Sequence, residues 1–178
     1  MFRNNYYQKT EFIVVFLFFI SIILLLSLSG YTFLGIQDEV QLQSTLSAGD
    51  PKNYMTSYPF GLFVSMLYTH MPEVPWYSVS MLLYTALISF VMALYVAKAD
   101  YGKYVKFLLF ALFTALLIFI LFQTTVTLLT LLLVAFSIPL IKGHQTFFWF
   151  LLFLASFLRV EIIISVLPLI KLSKVYKI

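Results

Sequence analysis

The feature that most constrains this chain is the run Phe12 to Leu28. It is seventeen residues of Phe, Leu, Ile and Val, relieved only by Ser21 and Ser27. No charge, proline or glycine interrupts it. A helix needs about 20 predominantly apolar residues to cross a bilayer, and this run with its flanks supplies them. Comparable stretches recur down the chain. The 178 residues are 62% hydrophobic and 10% charged, with a mean hydropathy of +1.01. A soluble domain carries roughly 25% charged residues, so this chain cannot cover a water-facing surface. The expectation is an all-α integral membrane protein. With no Cys it has neither a disulfide framework nor a thiolate metal site. The net charge of +4 sits in short loops and at the ends, where it orients spans. It is not a nucleic-acid footprint.

The chain reads as one membrane domain, 1–178, with about five transmembrane helices near 12–30, 78–97, 107–122, 128–141 and 146–170. Arg3 and Lys9 precede the first, which places the amino terminus in the cytoplasm by the positive-inside tendency. A cleaved signal peptide is the competing reading. Its apolar region is usually 7–15 residues, shorter than the run here. Lys98, Lys103 and Lys106 form a basic turn after the second span, and Lys142 follows the fourth. Both turns are assigned to the cytoplasm. Five spans would leave Lys171, Lys174 and Lys177 outside. Either the last segment is a re-entrant hairpin around Leu158-Arg159, or further chain follows Ile178. The whole is read as an incomplete assembly.

The long outer loop, 31–77, is the one stretch that is not a wall of apolar side chains. It carries Asp38, Glu39, Asp50 and Glu73 against Lys52. Gln37 to Leu46 is compatible with a helix. Ala48-Gly49-Asp50-Pro51 and Tyr58-Pro59 are breaks. Phe60 to Tyr68 is apolar but too short to span, and reads as a short interfacial helix. Trp76-Tyr77 fits an interfacial aromatic belt.

Few residues can carry chemistry. Arg159 and Glu161 are charges inside a span, where each costs a few kcal/mol. On an unbroken helix they point about 200° apart at 100° per residue, so they are not expected to pair. Arg159 lies about 20 Å along that helix from Thr146. It either holds a lipid phosphate through its guanidinium fork or ties helices together through a carboxylate elsewhere. The adjacent pair Asp38-Glu39 either serves as general base, with a divalent cation as a possible companion, or is an acidic helix end in water. Tyr54 and Tyr58 either stack on a sugar ring or anchor at the interface. His70 and His144 lack metal-ligand spacing and are read as ordinary interfacial residues. Thr124, Thr125 and Thr127 are read as caps of a hairpin. No phosphate-cradling glycine loop, Ser-His-Asp arrangement or GxxxG is present.

Taken in order, Asp38-Glu39 after the first span, Tyr58-Pro59-Phe60-Gly61-Leu62, Pro75-Trp76-Tyr77-Ser78, Gln123-Thr124-Thr125-Val126-Thr127 and Leu158-Arg159-Val160-Glu161 form a pattern. It resembles the amino-terminal part of bacterial multi-span membrane proteins of the glycosyltransferase C superfamily, found with surface-polysaccharide and glycolipid synthesis in the cell envelope. The resemblance implies sugar transfer from a polyprenyl-phosphate-linked donor to a glycan or lipid acceptor, at the outer face of the cytoplasmic membrane. It implies Asp38 or Glu39 as the base. It implies Arg159 as substrate-binding; Glu161, Tyr54 and Tyr58 join it as substrate-binding candidates from their own chemistry, and no cofactor is firmly implied beyond a possible divalent cation. Relatives usually run to many more spans. The alternative, from a different class, is a non-catalytic multi-span subunit or lipid-handling protein.

Overall fold

The computed structural model describes residues 2–28, 37–51, 56–98, 102–122, 125–138 and 145–164. Every regular element among them is a helix: α1 (Phe2–Leu28), α2 (Gln37–Ser47), α3 (Tyr58–His70), α4 (Trp76–Lys98), α5 (Lys103–Phe122), α6 (Val126–Ser137) and α7 (Gln145–Leu158). In hydrocarbon every backbone N–H and C=O must be bonded within the protein, which a helix achieves locally. Three helices are long and apolar enough to cross a membrane, over Lys9–Leu26, Trp76–Ala97 and Lys103–Phe122. None of these stretches contains proline or glycine. The side chains they leave exposed, such as Leu25, Leu83, Phe107, Leu108 and Leu112, would form a large apolar patch in water but cost nothing against lipid tails.

The expected fourth and fifth spans are shorter where they are described. α6 has 12 residues and α7 has 14, so they reach about 18 and 21 Å at 1.5 Å per residue. A hydrocarbon core is about 30 Å thick. Ile138 and residues 159–164 continue these segments beyond α6 and α7, while 139–144, His144 among them, and 165–170 lie outside the described residues.

Hydroxyls within the apolar helices bond back to their own backbone. Ser21 donates to the Leu17 carbonyl at 2.8 Å, Ser89 to Thr85 at 2.9 Å and Thr114 to Phe110 at 2.8 Å. That satisfies the donor without water.

The chain gathers into two compact units, Met1–Gly35 with Leu82–Thr124, and Ile36–Met81 with Thr125–Ile178. In the first, α1 packs on α5. Phe90 of α4 meets the ring edges of Phe12 and Phe16 at 5.3 and 5.6 Å, and Phe110 of α5 lies 5.1 Å from Phe18. Glu11 pairs with Lys106 at 2.8 Å. Both Lys103 and Lys106 therefore stand on the first turn of α5, where a loop was expected.

In the second unit, α6 and α7 form the main packing, and α3 packs on both α2 and α7. Leu42, Leu46, Phe60, Val64, Leu129 and Leu151 are buried there. The interfacial segment expected at Phe60–Tyr68 is α3, extended at both ends. Its apolar face toward the interior is Phe60, Val64 and Tyr68, while Leu62, Phe63 and Met66 remain exposed. The turn expected at Ala48-Gly49-Asp50-Pro51 ends α2. Gly49 has φ +83°, its N–H donates to Leu46 at 3.1 Å, and the Asp50 N–H donates to Thr45 at 3.2 Å. These two bonds make a Schellman motif with glycine at the left-handed position.

Candidate functional site

Arg159 sits where α7 stops. The helix ends at Leu158, Arg159 itself is not helical, and helix resumes over 160–164. The expectation of a continuous span with Arg159 and Glu161 pointing apart is corrected here. Because the backbone leaves helical geometry at Arg159, its Nε comes to 3.8 Å from Glu161 Oε2. The contact is long and the Glu161 side chain is 63% exposed, so it is weaker than a close buried pair.

A break inside an apolar helix needs partners for the carbonyls it frees. They come from the start of α3. The Ser57 N–H donates to the Leu158 carbonyl at 2.9 Å, and the Ser57 hydroxyl donates to the Phe157 carbonyl. Ser57 is also the N-cap of α3. Its backbone is extended (φ −64°, ψ 146°), its Oγ accepts from the Phe60 N–H, and Pro59 occupies the first turn. Proline suits that position because its missing N–H would have no helical partner. So Tyr58-Pro59, expected as a break, is the first turn of α3. The positive end of the α3 dipole meets the negative end of α7, a favourable arrangement. Phe157 closes the joint, with its ring 5.9 Å from Phe60 edge to face and 6.2 Å from Phe63.

The second anchor is the start of α6. Thr125 is its N-cap, extended at φ −128°, ψ 149°, and its hydroxyl accepts from the Leu128 N–H at 3.1 Å. The cap expected of this threonine is thus in place. Thr127, expected as a cap, does something else: its Oγ1 accepts from Arg159 Nη1. The guanidinium is held by Thr127 on one side and Glu161 on the other. Its side chain is 30% exposed, and Nη2 makes no hydrogen bond among the described residues. A planar cation in that state retains a donor edge for an oxyanion.

The remaining expected residues are dispersed. Tyr58 stands on the first turn of α3, 54% exposed. Tyr54 lies outside the described residues, and Thr124 does too. Asp38 and Glu39 are on the first turn of α2, with side chains outside the described residues. α2 and the α7 break both pack on α3. The polar link between α2 and α3 joins Gln43 to Tyr68, about 16 Å along α3 from Ser57 at 1.5 Å per residue. Burial pushes the Tyr68 hydroxyl above its ordinary range, and the Gln43 bond works the other way. That hydroxyl also accepts from the Tyr77 N–H at 3.2 Å.

His70, at the end of α3, donates from its ring to the Met66 carbonyl at 2.8 Å. Among the described residues, no three His, Asp or Glu side chains gather where they could hold a metal ion.

Ser57 was not singled out in the sequence. The readable signal was a serine directly before Tyr-Pro and an apolar run, which is an N-terminus signature. The pairing of Thr127 with Arg159, 32 positions apart, has no local signal. Comparison with protein-family models, characterised proteins and solved structures yields no match to this chain.

Proposed function

We propose that this chain is a multi-span membrane protein, or the amino-terminal part of one, that handles a polyprenyl-phosphate-linked sugar and transfers it at the outer face of a bacterial cytoplasmic membrane. In this reading the chain has about five spans and a cytoplasmic amino terminus. The observation that carries it is the partly buried Arg159 guanidinium at the break of α7, steadied by Thr127 and Glu161 and retaining a donor edge. A charge kept at a break within an otherwise apolar segment is expensive and is functional by default if that segment lies in the membrane.

The chemistry follows from that placement and from the resemblance. Asp38 or Glu39 takes the proton of an acceptor hydroxyl on a glycan or lipid. The hydroxyl oxygen attacks the anomeric carbon of the sugar. The bond from that carbon to the carrier phosphate breaks, and the phosphate leaves with the electron pair. Arg159 offsets the extra negative charge on the departing phosphate, the kind of stabilisation that is worth most where water is excluded. Tyr54 and Tyr58 offer ring faces to the sugar.

A second reading is favoured by the same contacts. The Arg159–Thr127 bond ties α7 to α6, and Glu161 accompanies the charge. That would suit a non-catalytic subunit in which Arg159 only holds helices together. Sugar transfer in membranes carrying Asp38→Asn, Glu39→Gln or Arg159→Ala separates the two. A general base contributes about 10²–10⁴-fold, so one carboxylate variant should lose about a hundredfold or more, and Arg159→Ala should lose transfer as well. Full transfer in all three variants would leave only the subunit.

A further inference from the structure

The first unit holds a groove of 370 Å³ between α1 and α5, with Val96 of α4 also lining it. Its walls are Val14, Val15, Phe18, Phe107 and Phe110. One end is closed by Phe110 against Phe18 and Phe19, at 5.1 and 5.9 Å. At the other end stand Glu11, Lys103 and Lys106. From Lys103 to Phe110 the groove runs about 10 Å along α5.

Its volume falls at the small end of the range for ligand sites, about 300–1,000 Å³. It is an apolar slot beside helices that present Val14 (61% exposed) and Phe107 (71% exposed) to their surroundings. In a membrane protein such a slot opens onto lipid tails.

The rim decides what kind of lipid. Glu11 is taken by Lys106 at 2.8 Å, so those two charges cancel. Lys103 is exposed and makes no ion pair among the described residues, leaving the rim with one net positive charge.

We propose that this groove binds one anionic phospholipid from the leaflet facing the Lys103 end. An acyl chain lies along Val14, Phe107 and the Phe18–Phe110 stop, and the headgroup phosphate meets the Lys103 ammonium. The charge cancelled on Lys106 and left on Lys103 selects a net-negative headgroup over a zwitterionic one. The site is independent of Arg159 and of any sugar transfer.

Fluorescence quenching by brominated lipid tests it locally. Trp76→Phe and Trp149→Phe remove the native indoles, and Phe107→Trp places a reporter on the groove wall. The protein is reconstituted in vesicles of phosphatidylcholine with either brominated phosphatidylglycerol or brominated phosphatidylcholine. The glycerol lipid should compete for the reporter about fivefold better, as expected for one lysine near an anionic headgroup at ~1 kcal/mol. Adding Lys103→Gln should bring that ratio to about one, while Lys103→Arg keeps it. Equal quenching by the two lipids in the parent, or a preference unchanged by Lys103→Gln, overturns the proposal.

Discussion

At the scale of single residues, Arg159 is held by contacts that can be separated. Its bond to Thr127 crosses from α7 to α6, and its approach to Glu161 is a 3.8 Å ion pair with an exposed partner. Hydrogen bonds to charged groups contribute about 1.5–3 kcal/mol, whereas exposed ion pairs contribute about 1 kcal/mol or less. Thr127→Val and Arg159→Ala should therefore couple, by about 1 kcal/mol in a double-mutant cycle. Glu161→Gln should change unfolding little. The cycle is read from denaturant unfolding in detergent, and additive losses for Thr127→Val and Arg159→Ala would deny the cross-helix bond any energetic role. Ser57 is the other residue on which the joint turns. It caps α3 and covers the Phe157 and Leu158 carbonyls. Ser57→Ala should cost about 1–2 kcal/mol, the upper range for a lost cap, because it also leaves a carbonyl unpaired in an apolar setting. Ser57→Thr, which retains the hydroxyl, should recover most of the loss in the same measurement.

Among the elements, those written as unbroken apolar runs were legible. α1, α4 and α5 follow directly from Phe12–Leu28, Ser78–Ala97 and Phe107–Phe122, with starts earlier by ten, two and four residues because polar first turns such as Lys103-Tyr104-Val105-Lys106 continue the helix. The end of α2 was legible too, since Gly49 before Asp50-Pro51 is local chemistry. Its positive φ and open surroundings make Gly49→Ala a test of backbone strain alone. The expected loss is about 1 kcal/mol from the left-handed conformation, visible as earlier unfolding, and an unchanged midpoint would mean the turn can relax. The α7 break was legible in part, since a re-entrant hairpin around Leu158-Arg159 was one of the two readings of the last segment and places an interruption where helix stops at Leu158. Arg159 marked an interruption, but the 200° separation from Glu161 assumed a continuous helix and failed once the backbone departed from it. What made the departure tolerable is Ser57, a hundred positions away, and no local pattern announces a partner at that distance. The same holds for the pair Glu11–Lys106, which joins α1 to α5.

For the whole molecule, three helices have the length and composition to cross a bilayer, and α6 and α7 fall short of it within their described residues. The proposed function joins an acidic pair on α2 to a cation on α7, both packed against α3. That union is the central claim, and it concerns a distance. The chain has no cysteine, so Asp38→Cys and Val160→Cys can each carry a nitroxide without other changes; Val160 is 44% exposed. Pulsed dipolar spectroscopy on the doubly labelled protein in lipid should give a main distance of about 20 Å or less, under four helical turns of 5.4 Å. A main distance of about 30 Å or more, the thickness of the hydrocarbon core, would separate the acid from the guanidinium and contradict a shared cavity.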